Sequence, residues 1–338
     1  TLTISYVGYT TKVLRLKAGQ KNEGVEVLLA PSTIQISEIV VKPKREKYSR
    51  KNNPAVELMK KVVARKDSNR ITQLDEYQTE CYEKMTLSLD KFDADFEKNK
   101  LMKKFKFLKN YLDSSEIDGK PILTLSLREK ISDMYYRKNP KTEKIIVKAQ
   151  RQQGVDQTLD EYGTISANLE EILKGIDVFD NNIPFLLNRF VSPLSSVLAN
   201  AYYQYYIMDT VDVRGEPCVD LAFVPVNPQS YGFTGRLYIT LDGTYAVKKV
   251  RLNVPRHINL NYVKDLRIDQ EFKRREDGLW ELDKDNTYVV FYFIDGGQQI
   301  YAHQLRSYSD YHSPVLNGDS IFGLLHLTNS GATLSGCL

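Results

Sequence analysis

Phe233–Val254, FTGRLYITLDGTYAVKKVRLNV, is the stretch whose reading decides the fold. Two runs of alternating apolar and polar residues, Phe233–Leu241 and Tyr245–Val254, flank Asp242-Gly243. A period of two marks a half-buried strand. Asp-Gly is a favoured hairpin pair because both central positions of a type I′ turn need φ > 0. The same signal recurs at Asp277-Gly278, just before Trp280–Leu282. Working outward, strands and turns alternate from Ala201 to Ile294. Connections this short imply antiparallel pairing, since parallel strands need long crossovers. The expected fold class is α+β and β-dominated: a large antiparallel sheet with helices packed on it.

The flanks add helices and more strands. Asn53 and Pro54 suit a helix cap and first turn. Ala55, Leu58, Met59, Val62 and Val63 then make one apolar stripe, with Lys60, Lys61, Arg65 and Lys66 mostly opposite. Tyr77 to Leu89 switches to period two, with Glu83 as the one misfit in the apolar register. A lysine-rich helix is expected from Phe92 to Leu112, and strands at Leu123–Leu127, Ile131–Arg137 and Glu143–Ala149, the last after an Asn139-Pro140 turn. A further helix is expected at Asn168–Lys174. After Ala302 the pattern decays into Tyr, Ser and His, and the last residues look like a tail.

The chain has 338 residues, 42% hydrophobic and 27% charged, which is ordinary globular usage. No apolar run approaches the ~18 residues of a membrane-spanning helix. A net charge of +4 leaves no overall footprint of a nucleic-acid binder. Lys42–Lys66 and Lys98–Lys109 together hold about sixteen basic residues, but Glu46, Glu57, Asp67 and Glu97 dilute them into solvated faces. Tyrosine is abundant, 22 against a single Trp, as suits pleated, half-wet surfaces. Cys81, Cys218 and Cys337 show no CxxC spacing. Whether Cys81 and Cys218 pair stays open, with free buried thiols the expected state.

The search for chemistry returns little. His257, His303, His312 and His326 form no HExxH and no zinc-spaced set, and His303 and His312 read as exposed loop residues. No Ser sits in G-x-S-x-G, no Cys is spaced from a partner His, and no Gly-rich loop joins a strand to a helix. The acid pairs Asp75-Glu76 and Asp93/Asp95 fit a charged surface. Glu83 could be a buried acid with a raised pKa, or a strand end reaching solvent. Tyr202, Tyr203, Tyr205, Tyr206 and Tyr231 could form an aromatic platform, or cross-strand pairs. No catalytic, cofactor-binding or metal-binding residue is assigned, and no small-molecule substrate is identified.

Two resemblances give the chain a setting. LTISYVGYTT (2–11), the alternating strand to Leu29 and SEIVVKP (37–43) resemble the second half of a carboxypeptidase-regulatory-like domain, a transthyretin-like β-sandwich common in Gram-negative envelope proteins. The stretches PAVELMKKVVARKDSN, LDEYQTECYEKM, DMYYRKNPKTEKIIVKA, FDNNIPFLLNRFVSPLS, FTGRLYITLDGTYAVKKVRLNVP and INLNYVKDLRIDQEF resemble the domain of unknown function that often trails that module. The resemblance implies a partial sandwich at 1–41, a basic linker at 42–52, an α+β domain at 53–310, and a tail or truncated start of an outer-membrane barrel at 311–338. It implies no catalytic residues. A first residue in mid-strand, without Met, suits a piece of a longer chain. The sheet is also similar in architecture to the open half-barrel of lipoprotein-sorting and lipid-carrier proteins.

The expected function is accordingly non-enzymatic: the periplasmic part of an outer-membrane-associated protein, acting in binding or assembly with an envelope protein or lipid as partner. The alternative is lipid or lipoprotein carriage in the concavity of the sheet. A third reading, an unrecognised hydrolase, requires a nucleophile–base pair in a cleft.

Overall fold

The computed structural model describes residues 2–4, 12–14, 27–28, 48–90, 112–154, 173–185, 188–255, 257–258, 260, 263–292 and 299–313. In chain order the strands are β1 (Leu2–Ile4), β2 (Lys12–Leu14), β3 (Glu76–Leu89), β4 (Leu112–Ser114), β5 (Pro121–Arg137), β6 (Thr142–Gly154), β7 (Asn182–Phe185) and β8 (Asn188–Val191). They continue as β9 (Tyr203–Val213), β10 (Glu216–Pro225), β11 (Thr234–Thr240), β12 (Val247–Asn253), β13 (Val263–Arg274), β14 (Trp280–Tyr292) and β15 (Gln299–His312). The helices are α1 (Pro54–Arg65) and the single turn α2 (Ala199–Tyr202).

Eleven strands form one antiparallel sheet in the order β4-β5-β3-β15-β14-β13-β12-β11-β10-β9, with β6 also on β5. From β9 to β15 each strand pairs with its chain neighbour, as the hairpin spacing predicts. The remaining strands arrive differently. The tyrosine-rich end of the chain is not a decaying tail up to His312 but the fourteen-residue strand β15, which pairs with β3 more than 200 residues earlier, Ala302 against Leu87. The strand expected from Leu123 and continued by Ile131 to Arg137 is β5. Of the helix expected from Phe92, only Leu112 is among the described residues, and it opens β4. The helix at Asn168–Lys174 lies outside them up to residue 172. Most of 1–41 does too, apart from the β1–β2 pair, which sets Leu2 against Leu14.

The turns correct one expectation. Asp242 and Asp277 do not take positive φ, so neither Asp-Gly makes a type I′ turn. Instead Gly243 and Gly278 alone of each pair are left-handed, and each Asp carboxylate accepts the backbone N–H two residues on, Thr244 at 3.0 Å and Leu279 at 3.0 Å. At 275–279 this is the three-residue hairpin loop that ends on a left-handed Gly. The pair with φ > 0 at both positions is Arg214-Gly215, between β9 and β10. An arginine there carries no turn signature, so the sequence does not show it.

The sheet has one apolar and one polar face over β9–β14. Leu221, Leu237, Val250, Ile268 and Val289 share the apolar face, buried under α1 and the segment 173–202. Asn53 caps α1 by accepting from the Ala55 N–H at 2.9 Å, and Ala55, Met59 and Val62 pack inward as the periodicity predicts. Phe185, Phe190 and Leu194 are almost fully buried beside them. Together these residues plug the apolar face. Lys66 belongs to the plug rather than to the wet face of α1: it is 4% exposed and donates to the carbonyls of Phe179 (2.6 Å) and Leu194 (2.9 Å). Burial pushes its ammonium below the ordinary lysine range.

The polar face is held by cross-strand ion pairs between residues directly opposite one another. Lys249 meets Glu271 at 2.6 Å and Arg251 meets Asp269 at 2.7 Å, with Arg267 on the same Asp269 carboxylate. Burial alone would raise the Asp269 carboxyl, but the two guanidiniums hold it below its usual range.

Cys81 and Cys218 are both free and buried, so they do not pair. Burial pushes each thiol up to about 11. At pH 8 both are expected to stay unreactive to a disulfide reagent such as Ellman's until urea unfolds the sheet. Rapid labelling of either in the native state, mapped by peptide mass, would contradict this.

Candidate functional site

A groove of about 190 Å³ opens on the apolar side of the sheet, at the end left uncovered by the plug. Its lining includes Tyr77 and Thr79 (β3), Met134 and Tyr136 (β5), Glu143 and Lys144 (β6), Tyr308 and Tyr311 (β15), Trp280 and Leu282 (β14) and Gln270 and Phe272 (β13). Those are six neighbouring strands of the sheet. Arg70–Thr72, Ile176, Asp177 and Phe179 complete the wall.

Aromatic contacts hold the lining in place. Tyr77 stacks on Tyr136 with ring centres 4.8 Å apart, and Tyr311 tilts against Tyr77 at 5.8 Å. The Tyr311 hydroxyl donates to the Leu282 carbonyl at 2.8 Å. Phe179 meets Phe272 edge-on at 5.3 Å, and the Arg70 guanidinium lies 4.5 Å over the Phe179 ring while pairing with Asp177 at 2.5 Å. Burial drives the phenols of Tyr77, Tyr308 and Tyr311 well above the ordinary tyrosine range, so all three remain neutral donors. Trp280, the single tryptophan of the chain, forms part of the wall, and the Lys248 ammonium sits 5.2 Å from its ring.

One residue row bounds the groove toward the plug. Gln270, Asp285, Arg306, Glu83 and Lys130 are direct cross-strand neighbours on five successive strands, so charges alternate along it. Arg306 donates to Glu83 at 2.8 Å and to the Leu173 carbonyl at 2.6 Å, and lies 3.6 Å from Asp285. Lys130 closes on Glu83 at 2.8 Å. This explains the misfit at Glu83. It is neither a raised-pKa acid nor a solvent-facing strand end: burial pushes its carboxyl up, but Arg306 and Lys130 bring it below the ordinary range.

Asp285 differs. It is 3% exposed, one carboxylate oxygen has no partner, and burial outweighs Arg306 to push it up to about 6. The folded state therefore holds this proton more tightly than the unfolded chain. Its contribution is favourable below the unfolded pKa near 4 and is lost as pH rises through about 6. Relative to Asp285→Asn, the wild type should lose roughly 2.4 kcal/mol of unfolding free energy between pH 4 and pH 7.5. Urea titrations of both proteins at the two pH values test this; parallel pH dependences would refute it.

The other candidates resolve as structure. Tyr203 and Tyr205 are not an open platform but pair across strands: Tyr205 stands opposite Phe223 of β10, Tyr203 meets the Phe223 ring edge-on at 5.5 Å, and both are fully buried and donate to the carbonyls of Val191 and Pro193, anchoring the plug. Tyr202 bonds the Tyr231 carbonyl at 2.9 Å, and Tyr206 lies against Tyr48 at 5.3 Å. His303 is not an exposed loop residue. It sits in β15, stacked 4.1 Å from Tyr288 at 10°, and burial drives its imidazole down to about 3. His257 and His312 are exposed, and His326, Asp93 and Asp95 lie outside the described residues. Glu76 pairs with Arg137 at 2.6 Å. Among the described residues no three His, Cys, Asp or Glu side chains gather as a metal site. The groove itself went unseen, because its lining comes from eight separated stretches of chain.

The fold and groove together define a class: an open antiparallel sheet, plugged over most of one face, with an aromatic groove left at one end. Residues 58–311 match the family of unknown function DUF5686, and the chain belongs to that family. No curated protein sequence matches it. Solved structures with a loosely similar course include a DUF1329-family protein from Desulfovibrio piger ATCC 29098, 9% identical over 80% of this chain and 98% of that one, with a TM-score of 0.31. A LolA-superfamily protein from Nitrosomonas europaea is 9% identical over 77% and 95%, with a TM-score of 0.28. MucB in complex with MucA from Pseudomonas aeruginosa gives 10% over 78% and 100%, with a TM-score of 0.21. Overlays this loose bear on neither ligand nor activity.

Proposed function

We propose that this chain is a non-catalytic binding protein of the cell envelope that takes an apolar or aromatic group of its partner into the Tyr77–Tyr136–Tyr308–Tyr311–Trp280 groove. The observation that carries the reading is the groove itself, an aromatic concavity to which six strands contribute and which the plug leaves open. Partner binding fits its size better than lipid carriage. Pockets that enclose a whole small molecule run to roughly 300–1,000 Å³, whereas about 190 Å³ suits one side chain or a short acyl segment. The rest of the apolar face, where a carrier would hold its cargo, is filled by Met59, Val62, Phe185, Phe190 and Leu194.

The envelope placement rests on the resemblance of the stretches 2–11 and 37–43 to a module common in envelope proteins. Fractionation of cells that produce the protein tests it, and recovery in the cytosol would refute the placement. For the groove, Trp280 is a built-in reporter. Titration with N-acetyl-phenylalanine amide is expected to give a saturable change in tryptophan fluorescence that Tyr308→Ala weakens at least fivefold. Saturation by dodecanoate alone would favour carriage, and no response to either probe would remove the groove from the function.

A further inference from the structure

Apolar residues gather without cover at the end of the sheet where β9 begins and β10 ends. Val197 is 77% exposed, Val226 43%, Tyr231 42% and Leu198 40%. They come from two loops, the one before α2 and the one between β10 and β11, and Tyr202 ties the two together. Its N–H donates to the Leu198 carbonyl at 2.8 Å, its hydroxyl donates to the Tyr231 carbonyl at 2.9 Å, and its own carbonyl accepts from the Val226 N–H at 2.8 Å. The Tyr231 ring meets Phe190 of β8 edge-on at 5.5 Å, so the plug supports the patch from beneath.

The charges around this patch are of one sign. The stretches that build this end, 48–53, 181–206 and 222–236, contain Arg50, Lys51, Arg189 and Arg236 but no Asp or Glu, although the chain as a whole holds 43. Arg236 is neutralised by Asp220 on the polar face of the sheet. Arg50, Lys51 and Arg189 are exposed, and none meets a carboxylate among the described residues. Arg50 is held at the rim of the patch, where it donates to the Ala201 carbonyl at 2.7 Å, and Arg189 directly precedes Phe190. Contiguous exposed apolar surface marks an interaction site, and here the surrounding charge defines its partner.

We propose that this end of the molecule docks on an anionic lipid surface, with Val197, Leu198, Val226 and Tyr231 entering the boundary between headgroups and acyl chains. Arg50, Lys51 and Arg189 then meet the lipid phosphates. Stable attachment to a membrane takes apolar insertion and basic charge together, and one rim supplies both. Tyrosine suits the headgroup level, where its ring is buried and its hydroxyl stays wet. The bonds to Tyr202 also matter, because a backbone group entering a medium without water must already be paired. A second copy fits less well: two such ends brought together would set like charges against each other with no acid to compensate. The groove is separate, since its strand residues come from β3, β5, β6, β13, β14 and β15.

The test is flotation of the chain with vesicles of phosphatidylcholine, alone or mixed with phosphatidylglycerol, for the wild type, Val197→Ser/Leu198→Ser and Lys51→Glu/Arg189→Glu. All four positions are exposed, so both variants should melt with the wild type by circular dichroism. If the first fails to fold, Val197→Ser alone takes its place. The expected result is binding to the mixed vesicles that weakens with salt and is at least tenfold weaker for phosphatidylcholine alone. Each variant should bind the mixed vesicles at least fivefold more weakly. Saturating N-acetyl-phenylalanine amide should leave binding unchanged, which keeps the outcome independent of the groove. Four results would overturn the proposal: no binding to the mixed vesicles, undiminished binding by either variant, displacement by the amide, or sedimentation showing a dimer that the serine variant dissociates. The last would assign the patch to a second copy.

Discussion

Gly235→Ala should unfold the sheet at its centre. Gly235 sits in β11 opposite Leu252 of β12, and a Cβ built there would lie 1.9 Å from the Arg251 carbonyl oxygen and 2.9 Å from Cζ of Phe223. Real Cβ atoms do not approach backbone oxygen so closely, and no rotamer change moves a main-chain carbonyl. Relief requires β11 and β12 to separate, which breaks the ladder that pairs Thr234 with Asn253 through Ile239 with Val247. The expected loss is at least 3–4 kcal/mol, on the scale of the largest single-residue effects. It should show as insoluble expression or a urea midpoint lowered by about 1 M or more. Since the phenyl ring of Phe223 is the softer of the two contacts, Phe223→Leu in the same chain should recover little. A Gly235→Ala protein with an unchanged midpoint would mean that the strands approach less closely than described.

Lys66→Met should loosen the plug while the polar face of the sheet stays intact. The methionine replaces most of the lysine stem, so the packing loss is small and the change isolates the ammonium. Two buried carbonyls, Phe179 O and Leu194 O, then lose their donor. An unsatisfied buried polar group costs about 1–3 kcal/mol, so the pair should cost about 3 kcal/mol or more. Because Lys66 bridges α1 to the segment 173–202, the loss should be local first. Amides near the contact, such as Leu194 N–H, which now donates to the Ser192 hydroxyl at 3.0 Å, should exchange faster. Amides in β12 and β13 should keep their protection. Uniform acceleration across the sheet would show that plug and sheet open as one unit. The Trp280 wall belongs to the same side, and the backbone N–H of Trp280 donates to the Asn69 carbonyl at 2.7 Å. A loosened plug should therefore also change the groove response to N-acetyl-phenylalanine amide.

The hairpin sheet, the capped α1 helix and the antiparallel pairing follow from local features that the chain displays openly. Period-two alternation, Gly at left-handed positions, Asn53-Pro54 and short connections each act over a few residues, so any reader of the sequence meets them. The turn types were only partly legible, since Asp242 and Asp277 act through side-chain acceptance rather than through their own backbone, and the type I′ position went to Arg214.

What tertiary structure alone decided is every feature built from distant chain. Glu83 reads as a misfit until Arg306 and Lys130 stand on either side of it, in strands that join β3 from opposite directions. Lys66 looks like one more surface lysine until Phe179 and Leu194 bring their carbonyls to it. Tyr308 and Tyr311 read as the start of a tail until β15 pairs with β3 and places them beside Tyr77 and Trp280. The physical reason is the same in each case. Strand periodicity specifies which face a side chain occupies, whereas the partner strand and the register, settled by burial over the whole sheet, specify what it meets there.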